Sequence, residues 1–266
     1  RCMVSFHIEP SSKCTLECPL CDRTWFYERF KKRKLHEINV DHIVNFVGIN
    51  AEVSMCGNNG DPIYHSKFLE LCKKFKANNC RLHIHTNGSA KTKTWWQKLK
   101  NILNKDDCIT FALDGLEDTN HLYRKNAKWD SIMTAVKTLR NNDFKMIWQF
   151  IPFKLMLSNR WLGKKDMIPD KKYIDNYWKH QKTVLVDQKY EAEMSPQCMK
   201  NKLPNNYLYV DAEGDFYPCC WIGTYRYKYK SVFSPKGKPF NIKDKTLEQI
   251  LEKDSIKEFF ASTNQF

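Results

Sequence analysis

Five short strand-like segments recur along this chain as far as Ile151, the first four each closed by a loop of polar and turn-forming residues. They are Met3 to Ile8, Ala51 to Cys56, Arg81 to His85, Cys108 to Leu113 and Met146 to Ile151. Between them the period changes to that of a helix. His65 to Asn79 sets Phe68, Leu71, Cys72 and Phe75 on one face with lysines on the other. Trp95, Trp96, Leu99, Ile102 and Leu103 mark a second helix, and Ile132, Met133, Val136 and Leu139 a third. Trp25 to Lys34 and Asp41 to Phe46 also have helical character. Strands alternating with helices demand a parallel sheet, because parallel neighbours can be joined only by a crossover. Right-handed crossovers then bring the C-terminal ends of all the strands to one edge. That edge collects the loop after Ile8, the run GNNGDP, the run HTNG and the run LDG. Between Lys154 and Lys189 the pattern weakens, and a helix around Tyr173 to His180 and a strand at Thr183 to Val186 are the expectations there.

The first of those loops carries Cys14, Cys18 and Cys21 in the stretch CTLECPLC. The chain has 11 cysteines, an odd number that suits a disulfide framework poorly, and no export signal is expected ahead of them. A reducing cytoplasm is therefore expected, where thiols serve metals or catalysis. Closely spaced thiolates hold iron–sulfur clusters, and three of them leave one iron of a cubane cluster free for a small chelating molecule. Zinc is the main rival, with His7 as the residue that would complete a closed set of four ligands. No apolar run approaches the length of a membrane span, so no membrane partner is expected.

Cys14-x-x-x-Cys18-x-x-Cys21 resembles the CxxxCxxC signature of the radical S-adenosylmethionine (radical SAM) enzymes, and it stands after the first strand as in that family. The other loops follow in the family's order. Asn59-Gly60-Asp61-Pro62 is similar to the GGEP-type segment, with the acid shortened by one methylene. Asn87 in Thr86-Asn87-Gly88 resembles the TNG segment, and Leu113-Asp114-Gly115 with His121 and Arg124 resembles the family's LDG…H…R stretch. Leu20 occupies the position before the last cysteine, which is often aromatic in the family. The resemblance implies an α/β fold, a partial (β/α)6 barrel. It implies a [4Fe-4S] cluster on Cys14, Cys18 and Cys21, and SAM contacts from Leu20, Asn59, Gly60, Asp61, Pro62, Asn87, Asp114 and Arg124. It also implies an electron donor such as a flavodoxin or ferredoxin. The cofactor supplies the reactivity in such enzymes, so no acid or base residue is nominated as catalytic.

A second cysteine group lies in CMKNKLPNNYLYVDAEGDFYPCC, with Cys198, Cys219 and Cys220. Asp211 to Phe216 reads as a hairpin turn with Tyr207 to Val210 and Phe216-Tyr217 as arms, bringing the flanking thiols together. KTLEQILEKDSIKEFF reads as an amphipathic helix or pair of helices. This hairpin-plus-helix unit resembles the SPASM/twitch extension of radical SAM enzymes. It implies an auxiliary iron–sulfur cluster, although no cysteine follows Cys220. Cys220 is the weakest candidate ligand, since neighbouring side chains on a strand face opposite ways. The expected division is therefore 1–190 for the radical SAM core and 191–266 for the extension. Cys2, Cys56, Cys72, Cys80 and Cys108 lie in or beside core-like segments and read as small buried hydrophobes.

The expected reaction is reductive cleavage of SAM followed by hydrogen abstraction from a peptide or protein side chain. A nucleoside, nucleic acid or small metabolite is the alternative substrate. The net charge of +14 and the run Tyr225-Arg226-Tyr227-Lys228-Tyr229-Lys230 are compatible with nucleic acid, although the basic residues are spread along the whole chain. A non-catalytic iron–sulfur or zinc-binding module is the alternative from another class.

Overall fold

Strand alternation builds one sheet with two unlike faces. The computed structural model describes residues 4–19, 21, 23–24, 35–149, 208–218, 220 and 240–262. The five strand-like segments become β1 (Ser5–Ile8), β2 (Glu52–Met55), β3 (Arg81–Thr86), β4 (Cys108–Ala112) and β5 (Lys145–Gln149). They pair in parallel in the order β5-β4-β3-β2-β1. Successive side chains of a strand face opposite ways. Phe6, Ile8, Val53, Met55, Leu82, Ile84, Ile109 and Phe111 therefore fall on one face, and all are buried. His7, Ser54, His83 and His85 fall on the other and are only half-buried.

The apolar face is covered by helices. After β1 comes α1 (Val40–Val47), then α2 (Phe68–Ala77), α3 (Lys93–Lys100), the short α4 (Asn120–Tyr123) and α5 (Trp129–Leu139). Their apolar stripes, with Phe68, Leu71, Phe75, Trp96, Leu99, Ile132 and Leu139, join the strand residues in one core. Side-chain caps set where α1 and α3 begin. Asn39 accepts from the backbone N–H of Asp41 at 2.8 Å, and Thr92 from that of Trp95 at 3.3 Å. Gly48 closes α1 at φ 76°, a left-handed conformation that suits glycine. The fold is thus an α/β architecture with a mostly parallel sheet, as the alternation predicts. The helices expected at Trp25 to Lys34 and Tyr173 to His180, the strand at Thr183 to Val186 and the boundary between residues 190 and 191 lie outside the described residues.

The C-terminal hairpin is present, and its position could not be read from pattern. β6 (Leu208–Val210) and β7 (Asp215–Tyr217) pair antiparallel around Asp211, whose carboxylate accepts from the N–H groups of Glu213 and Asp215. Gly214 turns the chain at φ 82°. β6 also pairs in parallel with β1, His7 opposite Tyr209, and β8 (Phe240–Asn241) completes the eight-stranded order β5-β4-β3-β2-β1-β6-β7-β8. β1 therefore lies inside the sheet, bonded on both edges. The amphipathic tail forms two helices, α6 (Leu247–Leu251) and α7 (Asp254–Ser262); a capping box of Thr246 and Gln249 starts α6.

Candidate active site

The loops at the strands' C-terminal edge meet one another through hydrogen bonds that link residues far apart in sequence. The cysteine loop leaves β1 and turns tightly, with the Cys21 N–H donating to the Cys18 carbonyl at 3.1 Å. Arg23 folds back over it, donating to the Cys14 carbonyl at 3.2 Å and also to the Leu16 carbonyl. Cys14, Cys18 and Cys21 are all free thiols. The Cys14 sulfur accepts from the Leu16 N–H and from the Asn87 side-chain amide, each at 3.5 Å. Burial, reinforced by the Asp61 carboxylate, pushes the Cys14 thiol up to about 12. Burial likewise pushes Cys18 up to about 11, against the opposing pull of Arg124. Both are neutral thiols at pH 7 unless a cation compensates the thiolate, so metal uptake at this loop releases protons.

Asp61 turns inward. Its Oδ2 accepts from the Asn87 N–H at 2.7 Å and from the Thr86 hydroxyl at 3.0 Å, and its Oδ1 from the Ile63 N–H at 3.2 Å. Burial raises its carboxyl to about 6, with the Asn87 and Thr86 bonds pulling the other way. Asp61 therefore ties the β2 loop to the β3 loop and holds Asn87 towards Cys14. Pro62 begins a single 3-10 turn, Pro62–Tyr64, that starts beside Asp61. Gly60 presses on the cysteine loop so closely that a Cβ there would stand 2.0 Å from the Ser11 carbonyl oxygen. On the far side Asp114 pairs with Arg124 at 2.6 Å, with the Asp114 side chain fully buried. The Asp114 N–H donates to Asn120 Oδ1 at 3.0 Å.

Of the residues nominated from sequence, Cys14, Cys18, Cys21, Asn59, Gly60, Asp61, Pro62, Asn87, Asp114 and Arg124 thus all lie in loops at this one edge. Leu20, Cys198 and Cys219 lie outside the described residues. Cys220 is half-buried and packs against the core. Cys72 and Cys80 are buried, as expected of small hydrophobes, whereas Cys56 and Cys108 are only half-buried.

Glu9 is the residue that sequence reasoning missed. It is 1% exposed and directly follows β1. Its Oε1 accepts from the N–H groups of Asn59 at 2.7 Å and Gly60 at 2.8 Å, and its Oε2 from the Tyr209 hydroxyl at 2.8 Å. The signal available was an acid at the end of the first strand, on the edge where the other loops collect.

The donors present suit soft metal and a polar ligand. Among the described residues no three His, Cys, Asp or Glu side chains converge on a single ion. That spread is compatible with a cubane cluster, in which each thiolate meets a different iron. His7, the residue that would complete a zinc set, has its Nε2 bonded to the Cys56 carbonyl at 2.9 Å. Around the loop, Arg23 Nε, Thr24 Oγ1, Ser89 Oγ and Asn120 Nδ2 are buried with no hydrogen-bond partner among the described residues. Buried polar atoms are rarely left so, and a polar ligand at the edge would supply partners.

Comparison with known proteins gives the same direction. A family model described as the radical SAM superfamily matches residues 8–154, and one described as an iron–sulfur cluster-binding domain (SPASM) matches residues 198–265. Among solved structures, the chain is similar to anSMEcpe with bound AdoMet and Cp18Cys peptide. Identity there is 16%, over 98% of this chain and 83% of that one, with a TM-score of 0.57. It is similar to Streptococcus suis SuiB bound to precursor peptide SuiA at 15% identity, over 99% of this chain and 67% of that one, with a TM-score of 0.53. It is also similar to BtrN in complex with AdoMet and 2-DOIA at 16% identity, over 100% and 88%, with a TM-score of 0.50. At these identities the likeness is one of fold. No curated protein matches the chain by sequence.

Proposed function

The chain belongs to the radical SAM superfamily and is an enzyme with a SPASM extension, and on that premise we propose that it abstracts a hydrogen atom from a peptide or protein side chain. The reading of a non-catalytic metal module falls with the family match. In this proposal Cys14, Cys18 and Cys21 ligate three irons of the [4Fe-4S] cluster. Asn59, Gly60, Asp61, Pro62, Asn87, Asp114, Arg124 and Leu20 form the SAM site. When bound, the reduced cluster supplies the electron that cleaves the SAM sulfonium C–S bond, giving methionine and a 5′-deoxyadenosyl radical. The chain's own residues hold and orient. Arg23 closes the cysteine loop, Asn87 donates to the Cys14 sulfur, and the Asp61 tie keeps Asn87 in place. The Asp114–Arg124 pair sets a fixed cation beside Cys18.

The observation that carries the assignment is the contact between the first and third loops: the Asn87 amide on the Cys14 sulfur, 73 residues away. An N–H···S bond favours the thiolate, the form that ligates iron. The SPASM match supports an auxiliary iron–sulfur cluster in the C-terminal part, for which Cys198, Cys219 and Cys220 are the proposed ligands. Two of the similar folds hold peptides, which supports the peptide reading.

A second reading, a small polar substrate, draws support from the sheet face opposite the helices. There the rings of His83 and His85 lie 4.1 Å apart, His83 Nε2 is 2.8 Å from Thr110 Oγ1, and His7 meets Tyr209 at 4.8 Å. A wall of hydrogen-bonding groups suits a hydroxylated or amide-bearing ligand.

Anaerobic reconstitution tests the chemistry. The parent and a Cys14→Ala/Cys18→Ala/Cys21→Ala variant are loaded with iron and sulfide, given SAM and a strong reductant, and assayed for 5′-deoxyadenosine. The expected result is product from the parent, none from the variant, and residual iron in the variant reporting the auxiliary cluster. A fully loaded parent that makes no deoxyadenosine, with peptides or polar metabolites present, overturns the proposal. Faster deoxyadenosine release with peptides than with polar metabolites separates the two substrate readings.

A further inference from the structure

Glu9 sits where three parts of the molecule meet. Its backbone continues β1, its N–H donating to the Val210 carbonyl of β6 at 2.9 Å. One carboxylate oxygen takes the backbone N–H groups of Asn59 and Gly60. The other takes the hydroxyl of Tyr209, which is itself 1% exposed and also bonded to the Asn58 side chain. A buried carboxylate is costly unless its lone pairs are filled, and here the loop after β2 and the C-terminal hairpin fill them together. Neither can shift without leaving a buried acceptor or donor bare. The loop has little freedom of its own, since a Cβ at Gly57 would stand 2.2 Å from the Gly60 carbonyl oxygen and one at Gly60 2.0 Å from that of Ser11. The hairpin that carries Tyr209 leads within a few residues to Cys219 and Cys220.

We propose that Glu9 and Tyr209 are positioning residues that couple the seating of the C-terminal hairpin to the geometry of the 57–61 loop, and so to SAM affinity. The inference rests on the assignment of that loop to SAM. Hairpin displacement, including any that accompanies loss of the auxiliary cluster, weakens SAM binding without touching the three thiols. Coupling between sites is reciprocal, so SAM in turn tightens the hairpin.

The test uses the reconstituted full chain with Tyr209→Phe, Glu9→Gln and the double variant. Tyr209→Phe removes one hydroxyl from a packed ring, and Glu9→Gln keeps shape and one acceptor, so both are expected to fold. SAM affinity is measured by equilibrium dialysis, alongside iron content, melting temperature, and amide hydrogen exchange over 208–217 with and without SAM. The expected outcome is at least a fivefold weaker SAM affinity in each single variant at unchanged iron content. The double variant should be no weaker than the worse single one, as for two members of one bonded unit. SAM should slow exchange over 208–217 in the parent and fail to do so in Glu9→Gln. Affinity within twofold of the parent in both variants overturns the inference. So does a fall in melting temperature and iron content while the loaded fraction binds SAM as the parent does, the pattern of a merely structural pair. A parent that binds no SAM overturns the function proposal itself, a failure visible before any variant is compared.

Discussion

His85 shows how strand geometry decides a side chain's chemistry. It shares a strand face with His83, and burial lowers its affinity for protons to about 4, with the neighbouring His83 and His7 adding repulsion and Gln149 opposing through a hydrogen bond. The unfolded chain takes up that proton near the ordinary 6.5, well before the folded one does. Stability from this residue is therefore complete above about pH 6.5 and is lost as pH falls towards 4. The contribution is about 3 kcal/mol at most, before the discount for solvent that screens a ring not fully buried. Replacing His85 with Asn should flatten the dependence of the melting temperature on pH across that window; an unchanged slope would show that other groups set it. Asp61 shows what the motif leaves out. Beside the ligand contact proposed for it, its two oxygens accept from Ile63, Thr86 and Asn87. No spacing rule announces a carboxylate that turns inward to staple two loops.

At the scale of elements, the loops at the strand ends are held by contact as much as by hydrogen bonds. Gly60 lies against Ser11 and Ser12, its hypothetical Cβ 2.7 Å from Ser12 Cα. Backbone cannot yield there as a flexible side chain would, so Gly60→Ala must push the β2 loop off the cysteine loop. The expected cost is about 1–3 kcal/mol, in the range of overpacked sites, together with weaker iron retention at the first cysteine group. Denaturant unfolding and iron counting check both, and a variant that matches the parent in each would show that the two loops are free to part. The five parallel strands and the longer helices between them were legible because each element is long enough to show its period, as with Phe68, Leu71, Cys72 and Phe75 on α2. β8 was not, since two residues carry no period. α4 was missed for the same reason: it is a single turn held by a backbone bond from the Arg124 N–H to the Asn120 carbonyl.

For the molecule as a whole, the net charge of +14 is the feature least explained by the site. Some basic residues meet acids locally, as where Lys76 meets Asp107 at 2.9 Å, Lys13 meets Glu37 at 3.0 Å, and Lys74 meets Asp41, but such one-to-one pairs leave the positive excess unchanged. A nucleic-acid substrate contacted at six or more phosphates would lose about 10³-fold in affinity between 50 and 200 mM salt. A peptide substrate read mainly through hydrogen bonds should change by only about threefold over the same range, if one or two charges are involved. Binding isotherms at the two salt concentrations decide between them, and a steep loss would return the basic surface to the centre of the argument. Among the described residues no helix is long and apolar enough to cross a membrane.

The order of strands, helices and edge loops, and the three thiols on the first of those loops, follow from local pattern alone. Hydrophobic period and cysteine spacing are properties of neighbours in the chain, and they survive without any knowledge of what packs where. The insertion of β6 beside β1, the meeting of Tyr209 with a glutamate 200 residues earlier, and the inward turn of Asp61 belong to the tertiary structure. Each is a choice of partner for a buried polar group, and such partners are selected by proximity in the folded molecule, where water is excluded and every donor and acceptor must be met.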